Sequence, residues 1–208
     1  MSDREQLQRG IEALQLTLPH GAFEKLLQYL ALLQKWNRAY NLTAVRESTE
    51  MVSRHLLDSL AVTPFVHGAH IADVGTGAGL PGIPLGLALP DKQFDLVDSN
   101  GKKIRFVTQA VAELQLRNVR ALQARVETLQ PAQLFDAVLS RAFASLRDMA
   151  DGCAHLLAPG GVMLALKGVY PDDELRALPP RYRVDGCHAL SVPGEIGQRH
   201  LVEIRLQQ

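Results

Sequence analysis

An α/β fold, a mostly parallel sheet behind an N-terminal helical cap, is predicted by three features of the sequence. Residues 1–66 carry apolar stripes at helical spacing and no strand alternation. From His70 onward, the short apolar runs IADV, FDLVD, AVLS and GVMLALKG alternate with longer amphipathic stretches, the rhythm of strands joined by crossover helices. Near the C-terminus, YRVDGCHALSV and RHLVEIRLQ lie close enough in sequence to pair antiparallel.

In chain order, Leu7, Ile11, Leu14 and Leu18 form a first short stripe. Phe23, Leu26, Leu27, Leu30, Leu33, Trp36 and Tyr40 form a second, longer one that should face the core. After the polar break NLTAVREST, Val52, Leu56, Leu57 and Leu60 mark a third helical segment. The division expected is a cap over 1–66 and a sheet domain over 67–208, packed as one compact unit. With 208 residues and 47% hydrophobic side chains, the chain has enough apolar surface for a substantial core, which excludes intrinsic disorder.

Lys plus Arg total 22 and Asp plus Glu total 22, so no global field draws the chain to a polyanion or an anionic membrane. A polyanionic partner would have to be met by a local patch. The polar start MSDREQLQRG has no signal-peptide order and no apolar run reaches membrane-spanning length, so a cytosolic protein with no membrane partner is expected. Cys153 and Cys187 are isolated from other thiols and from histidines at ligand spacing, which favours reduced cysteines and no metal site. His55 and Asp58 sit three apart on a helix, but no third ligand or nucleophilic serine motif accompanies them.

The most informative stretch is IADVGTGAGLPGIP. A strand ends near Asp73, Gly75, Gly77 and Gly79 alternate, and Pro81 opens a helical segment. Such glycines permit positive φ and let backbone amides approach an anion. Gly77, Gly79 and Gly82 can be read as a dinucleotide fingerprint, with Asp98 about 20 residues on as the ribose partner. Three features favour S-adenosyl-L-methionine instead. Asp73 supplies a carboxylate for a cationic methionine end, the glycine run begins too early for the fingerprint, and no hydride-handling His and Arg pair follows. Asp98 is expected at the ribose hydroxyls; its alternative is to cap the next helix.

Ligands of such sheets lie beyond the carboxyl ends of the strands. There Ser140, Arg141, Ala142 and Phe143 keep the frame of the polar-Pro-Pro-aromatic motif of amino-directed methyltransferases but lack its prolines. Phe143 either stacks on a target base or is simply buried. Arg125, Val126 and Glu127 follow the RALQA strand, where backbone amides and a carboxylate could read an adenine edge. Between Gly101 and Arg125, Lys102, Lys103, Arg105, Arg117, Arg120 and Arg125 face Glu113 alone, and Arg141, Lys167 and Arg199 could join the same rim, an arrangement suited to RNA phosphates.

Together IADVGTGAGLPGIPL, LVDSNGKK, ARVE, SRAFASL, LALKG and GQRHLVEI, with WNRAYNLTAV and RHLLDSL upstream, resemble the glucose-inhibited division protein B (RsmG) family from about residue 36 to the C-terminus. The resemblance implies a class I S-adenosyl-L-methionine-dependent methyltransferase fold, with a seven-stranded sheet and an antiparallel C-terminal strand. It also implies methylation at N7 of guanine 527 in the 530 loop of 16S ribosomal RNA, with the small ribosomal subunit as partner. Carried over by motif, Gly75, Leu80, Val126, Glu127 and Arg141 are cofactor contacts, joining Asp73, Gly77, Gly79 and Asp98. Lys102, Arg125, Lys167, Arg199 and His200 are the basic positions for RNA, with Phe143 as a stacking surface. Asn41, His55 and Asp58 would close the cofactor pocket from the cap. Arg141 is expected to organise the reaction, with no general base. A monomer is expected, with no metal. Alternatives are a non-catalytic RNA-binding assembly protein that keeps the pocket, and a nicotinamide oxidoreductase.

Overall fold

The structure, a computed structural model, describes residues 1–207. Helix α1 (Asp3–Ala13) starts in a reciprocal capping box, in which the Ser2 side chain accepts from the Glu5 amide and the Glu5 carboxylate accepts from the Ser2 amide. It buries Leu7 and Ile11, as the stripe requires. The helix is shorter than that stripe: Leu14 caps it and Gln15 turns left-handed at φ 55°, so Leu18 lies beyond it. Helix α2 (Ala22–Tyr40) buries Leu26, Tyr29, Leu30 and Leu33 and ends at Asn41 with φ 50°. The third segment is one run made of α3 (Ser48–Met51), a π-helical stretch (Val52–Leu57) and α4 (Asp58–Leu60). Widened turns of this kind re-aim side chains that a regular helix would stack. This one carries His55 and leads directly into Asp58.

Seven strands follow: β1 (His70–Val74), β2 (Gln93–Asp98), β3 (Val119–Gln123), β4 (Phe135–Ser140), β5 (Leu157–Lys167), β6 (Tyr182–Ala189) and β7 (His200–Leu206). They form one sheet in the order β3-β2-β1-β4-β5-β7-β6. Strands β1 to β5 pair in parallel, whereas β7 runs antiparallel to both β5 and β6. Helices α5 (Gly82–Ala88), α6 (Gly101–Glu113), α7 (Leu146–Cys153) and the short α8 (Asp172–Arg176) complete the fold. The chain builds outward from β1 to β3 and then returns to place β4 on the other side of β1. That reversal opens a crevice above the carboxyl ends of β1 and β4, where open α/β sheets bind ligands. Among the described residues, no helix is long and apolar enough to cross a membrane.

Two cores hold the layers. On one face, cap residues Leu26, Tyr29, Leu33, Leu56 and Leu60 share a cluster with Ile71, Ile83, Phe94, Phe106, Leu164 and Leu201. On the other, α7 packs Leu146, Met149 and Cys153 against Val74, Val138, Met163 and Ile204. Tyr29 joins the cap to the glycine loop: its buried hydroxyl donates to the Ala78 carbonyl at 2.7 Å. Tyr29→Phe leaves that carbonyl unpaired while keeping the ring, and is expected to cost about 1–3 kcal/mol. Urea denaturation should show a lower midpoint with an unchanged slope.

Candidate active site

The glycine loop leaves β1 in a left-handed path, with Gly75, Gly77 and Gly79 at φ 70°, 62° and 87°. The Gly75 and Thr76 amides donate to the Val97 carbonyl at 2.8 and 3.0 Å, tying the loop to β2. A Cβ on Gly75 would collide with that of Ala142, so only glycine lets the β1 and β4 ends approach this closely. Asp73 lies wholly buried beneath the loop. Its Oδ2 accepts from Thr76 Oγ1 at 2.6 Å and from the Gly82 amide at 2.8 Å, while Oδ1 has no partner. Burial pushes this carboxyl up to about 6, against the pull of those two donors and of Arg141. Asp73 thus braces the loop rather than lining the cavity above it. Leu80 is likewise a core residue, 3% exposed.

The first of two cavities at the carboxyl ends of the strands measures about 290 Å³ and is lined by Gly75, Asp98, Lys103, Arg125, Val126, Glu127, Ala142 and Phe143, among others. Asp98 Oδ2 accepts from the Gly77 amide at 3.0 Å and Oδ1 from the Asn100 amide at 2.8 Å. Each oxygen keeps a lone pair for a hydroxyl donor. Capping of α6 falls to Asn100, whose side chain accepts from the Lys102 amide at 2.9 Å, so Asp98 is not the cap. Lys103 Nζ stands 3.7 Å from Asp98 Oδ2. A carboxylate at a strand end, a glycine cradle and the apolar Val126 and Phe143 suit a nucleoside with a charged tail. Phe143, half-buried and near Gly152 of α7, belongs to this cavity.

The second cavity, of similar volume, lies across the Arg141–Ala142 peptide and is lined by Arg54, His55, Asp58, Arg141, Lys167, Arg199 and His200 with several apolar residues. Asp58 is its organising anion. The side chain is 5% exposed, its Oδ2 accepts from Arg141 Nη1 at 2.9 Å, and its Oδ1 accepts from Arg199 Nε at 2.9 Å. Lys167 Nζ pairs with Glu174 at 2.8 Å, and His200 packs edge-on to Tyr170. The positive charge of Arg141 is felt at His55 and at Asp73, which places this guanidinium electrostatically between the loop and the cap.

His55 is held neutral. Nδ1 lies 3.0 Å from the Arg54 carbonyl, which can only accept, so Nδ1 carries the proton and Nε2 accepts from Thr43 Oγ1 at 2.8 Å. Burial, reinforced by Arg141, pushes its pKa down to about 4. The unfolded chain therefore takes up the proton first. This imidazole's contribution to stability is complete above about pH 6.5 and falls as the pH drops toward 4, by up to about 3 kcal/mol. His55→Gln is expected to flatten that acid-side loss in urea denaturations at stepped pH; parallel curves for both proteins would refute it. The comparison isolates the imidazole from Asp73, whose raised pKa tilts stability the opposite way over part of that range.

Several sequence expectations change place. Arg141, expected at the cofactor, lines the second cavity and not the first, while Arg125 and Phe143, expected at RNA, line the first. His55 and Asp58 belong to the second cavity too, and Asn41 is exposed at the end of α2, bonded to Arg46 at 2.7 Å. Lys102 is exposed at the start of α6 and lines neither cavity. The run of basic residues from Gly101 to Arg125 is not one patch. Helix α6 runs away from the crevice and β3 runs back toward it, so Arg117 and Arg120 land at the amino ends of the strands, opposite the crevice. There Arg120 is held by Asp95 at 2.9 and 2.5 Å. One contributor moves and one escaped sequence reasoning. Lys103, read only as one of the basic run, lines the first cavity beside Asp98. Asn37 is buried at 2% exposure, accepts from the Thr43 amide and donates to the Val45 carbonyl, setting the segment that brings Thr43 to His55. Its signal was a polar side chain buried within the apolar helix.

The family model described as rRNA small subunit methyltransferase G matches residues 22–202. The chain belongs to this family. It is 54% identical over 206 residues to ribosomal RNA small subunit methyltransferase G of Stutzerimonas stutzeri, covering 98% of this chain and 96% of that one. The protein of the same name from Marinobacter nauticus is 52% identical over 197 residues, covering 95% and 92%. Among solved structures, TrmN from Thermus thermophilus superposes with a TM-score of 0.59 at 23% identity, over 82% of this chain and 53% of that one. A SAM-dependent methyltransferase from Aquifex aeolicus gives 0.58 at 16%, over 74% and 92%. These neighbours share the class I methyltransferase fold. The cofactor of this family member is S-adenosyl-L-methionine.

Proposed function

We propose that this chain methylates N7 of guanine 527 in the 530 loop of 16S ribosomal RNA by direct displacement, without a general base. Support comes from the full-length similarity to rRNA small subunit methyltransferase G and, for the mechanism, from one observation. The titratable groups deepest in the second cavity are already committed. Asp58 holds two arginines, and His55 uses both ring nitrogens and stays neutral far below physiological pH. Guanine N7 carries a free lone pair and no proton, so it is the acceptor such a site suits; an amine or hydroxyl would call for a base.

S-adenosyl-L-methionine supplies an electrophilic methyl on a sulfonium. Asp98 accepts the ribose hydroxyls. The backbone at Val126 and the Glu127 carboxylate read the adenine edge, with Phe143 as its apolar neighbour. Asp73, through Thr76 and Gly82, fixes the loop that carries Gly75. Arg141, immobilised by Asp58, directs its remaining donors toward guanine O6 or a phosphate, since a cation pressed on N7 would oppose the charge developing there. Lys167, Arg199 and His200 hold phosphates at the second cavity, while Lys102 and Arg125 extend the basic surface toward the first. The protein aligns two reactants and excludes water between them.

The deciding experiment incubates labelled cofactor with small subunits lacking the modification and then cleaves the RNA at N7-methylguanine. Cleavage at position 527 is expected. Label at another atom overturns the assignment, and RNA binding without transfer makes the chain a non-catalytic assembly protein.

A further inference from the structure

Three exposed apolar side chains, carried on two separate segments, stand beside the second cavity. Gly168 lines the cavity, and Val169 and Tyr170 directly after it are 70% and 51% exposed. The Tyr170 ring meets His200, a lining residue, edge-on at 5.6 Å and 84°. On the other side, the loop joining β6 to β7 carries Ile196, which is 102% exposed. Ile196 is anchored at the mouth because Glu195, its neighbour, stands 3.6 Å from both Arg54 and Arg199. An isolated exposed apolar residue needs no explanation. Three in two short segments, beside one cavity lined with Arg54, Arg141, Lys167 and Arg199, form a pattern.

The chemistry of that pattern is specific. Cations hold phosphates without regard to base, whereas an exposed ring offers a face to an unstacked base. A paired helix keeps its bases stacked and offers Tyr170 nothing. Glu195 and Glu174 temper the charge of the mouth, which leaves the apolar contacts a larger share of the affinity. Phe143, the aromatic expected at the target base, lines the other cavity, so Tyr170 is the ring placed at this one.

We propose that Tyr170 and Ile196 form an apolar rim that takes unpaired bases of RNA, one stacked on the Tyr170 ring and a neighbour resting against Ile196, above cations that hold their phosphates. The inference rests on the functional reading above and adds to it how the RNA is gripped outside the reacting base.

The test uses the full chain, a protein-free 16S RNA fragment containing the 530 loop, a fully paired RNA of equal length, and small subunits. Tyr170→Ala is expected to weaken binding of the loop fragment roughly 10-fold, within the range found for loss of one base–aromatic stack. Tyr170→Phe should retain it, and Ile196→Ser should weaken it several-fold. Cofactor affinity, melting temperature, binding of paired RNA and the slope of affinity against salt should be unchanged, because no phosphate contact is removed. Unchanged affinity for the loop fragment overturns the proposal, as does equal weakening toward paired RNA. Weakening confined to assembled subunits also overturns it, since that would assign the rim to a ribosomal protein. Methyl transfer by the unaltered chain is read in parallel. Transfer to another atom with the rim effects intact would remove the functional reading and leave the rim standing.

Discussion

Arg141→Ala is expected to lower kcat/KM for methyl transfer to small subunits by at least about 100-fold, the loss typical of a preorganised donor at a reacting centre. The fold should survive at a cost of about 1–3 kcal/mol, because Asp58 keeps Arg199 as a partner when Arg141 goes. Arg141→Lys should recover little, since an ammonium lacks the planar fork that lets one guanidinium hold Asp58 and still present donors elsewhere. Asp58→Asn tests the same unit from the other side. If the carboxylate acts by aiming Arg141, adding Asp58→Asn to Arg141→Ala costs almost nothing more, whereas independent roles would multiply. Undiminished turnover by Arg141→Ala would remove it from the reaction altogether.

Asp98→Ala should raise the dissociation constant for S-adenosyl-L-methionine by at least about 100-fold, read by calorimetry. Hydrogen bonds to a charged acceptor are worth about 1.5–3 kcal/mol, and two ribose hydroxyls are at stake. The Gly77 amide also loses the acceptor that holds the loop over β2. Thermal stabilisation by cofactor, expected for the unaltered chain, should nearly vanish at the same concentration. Binding of RNA without cofactor should not change, because Asp98 lines only the first cavity. Asp98→Asn, which keeps one oxygen acceptor, should fall between the two.

The strands and the glycine loop were legible because their signals are local. A run such as IADV followed by alternating glycines encodes its own conformation, and the antiparallel pair β6 and β7 is adjacent in sequence. What stayed hidden was direction and partnership. Arg141 and Ala142 are consecutive in the chain yet face different cavities, and no periodicity separates them. Asp58 meets Arg141 across 83 positions and Arg199 across 141, so its role could be found only once the sheet had brought those segments together. The basic run from Gly101 to Arg125 misled for the related reason that a helix and the strand after it run in opposite directions. The end of α1 misled differently, because Leu18 keeps the apolar rhythm past the left-handed Gln15.

The hydroxyl of Tyr29 on the Ala78 carbonyl should make the cap a reporter of ligand occupancy. A cofactor that orders the glycine loop also restrains Ala78, and through it α2, which packs in the same core as β1 and β2. Amide exchange along α2, remote from the bound nucleoside, should therefore slow as cofactor is added, and the slowing should disappear in Tyr29→Phe.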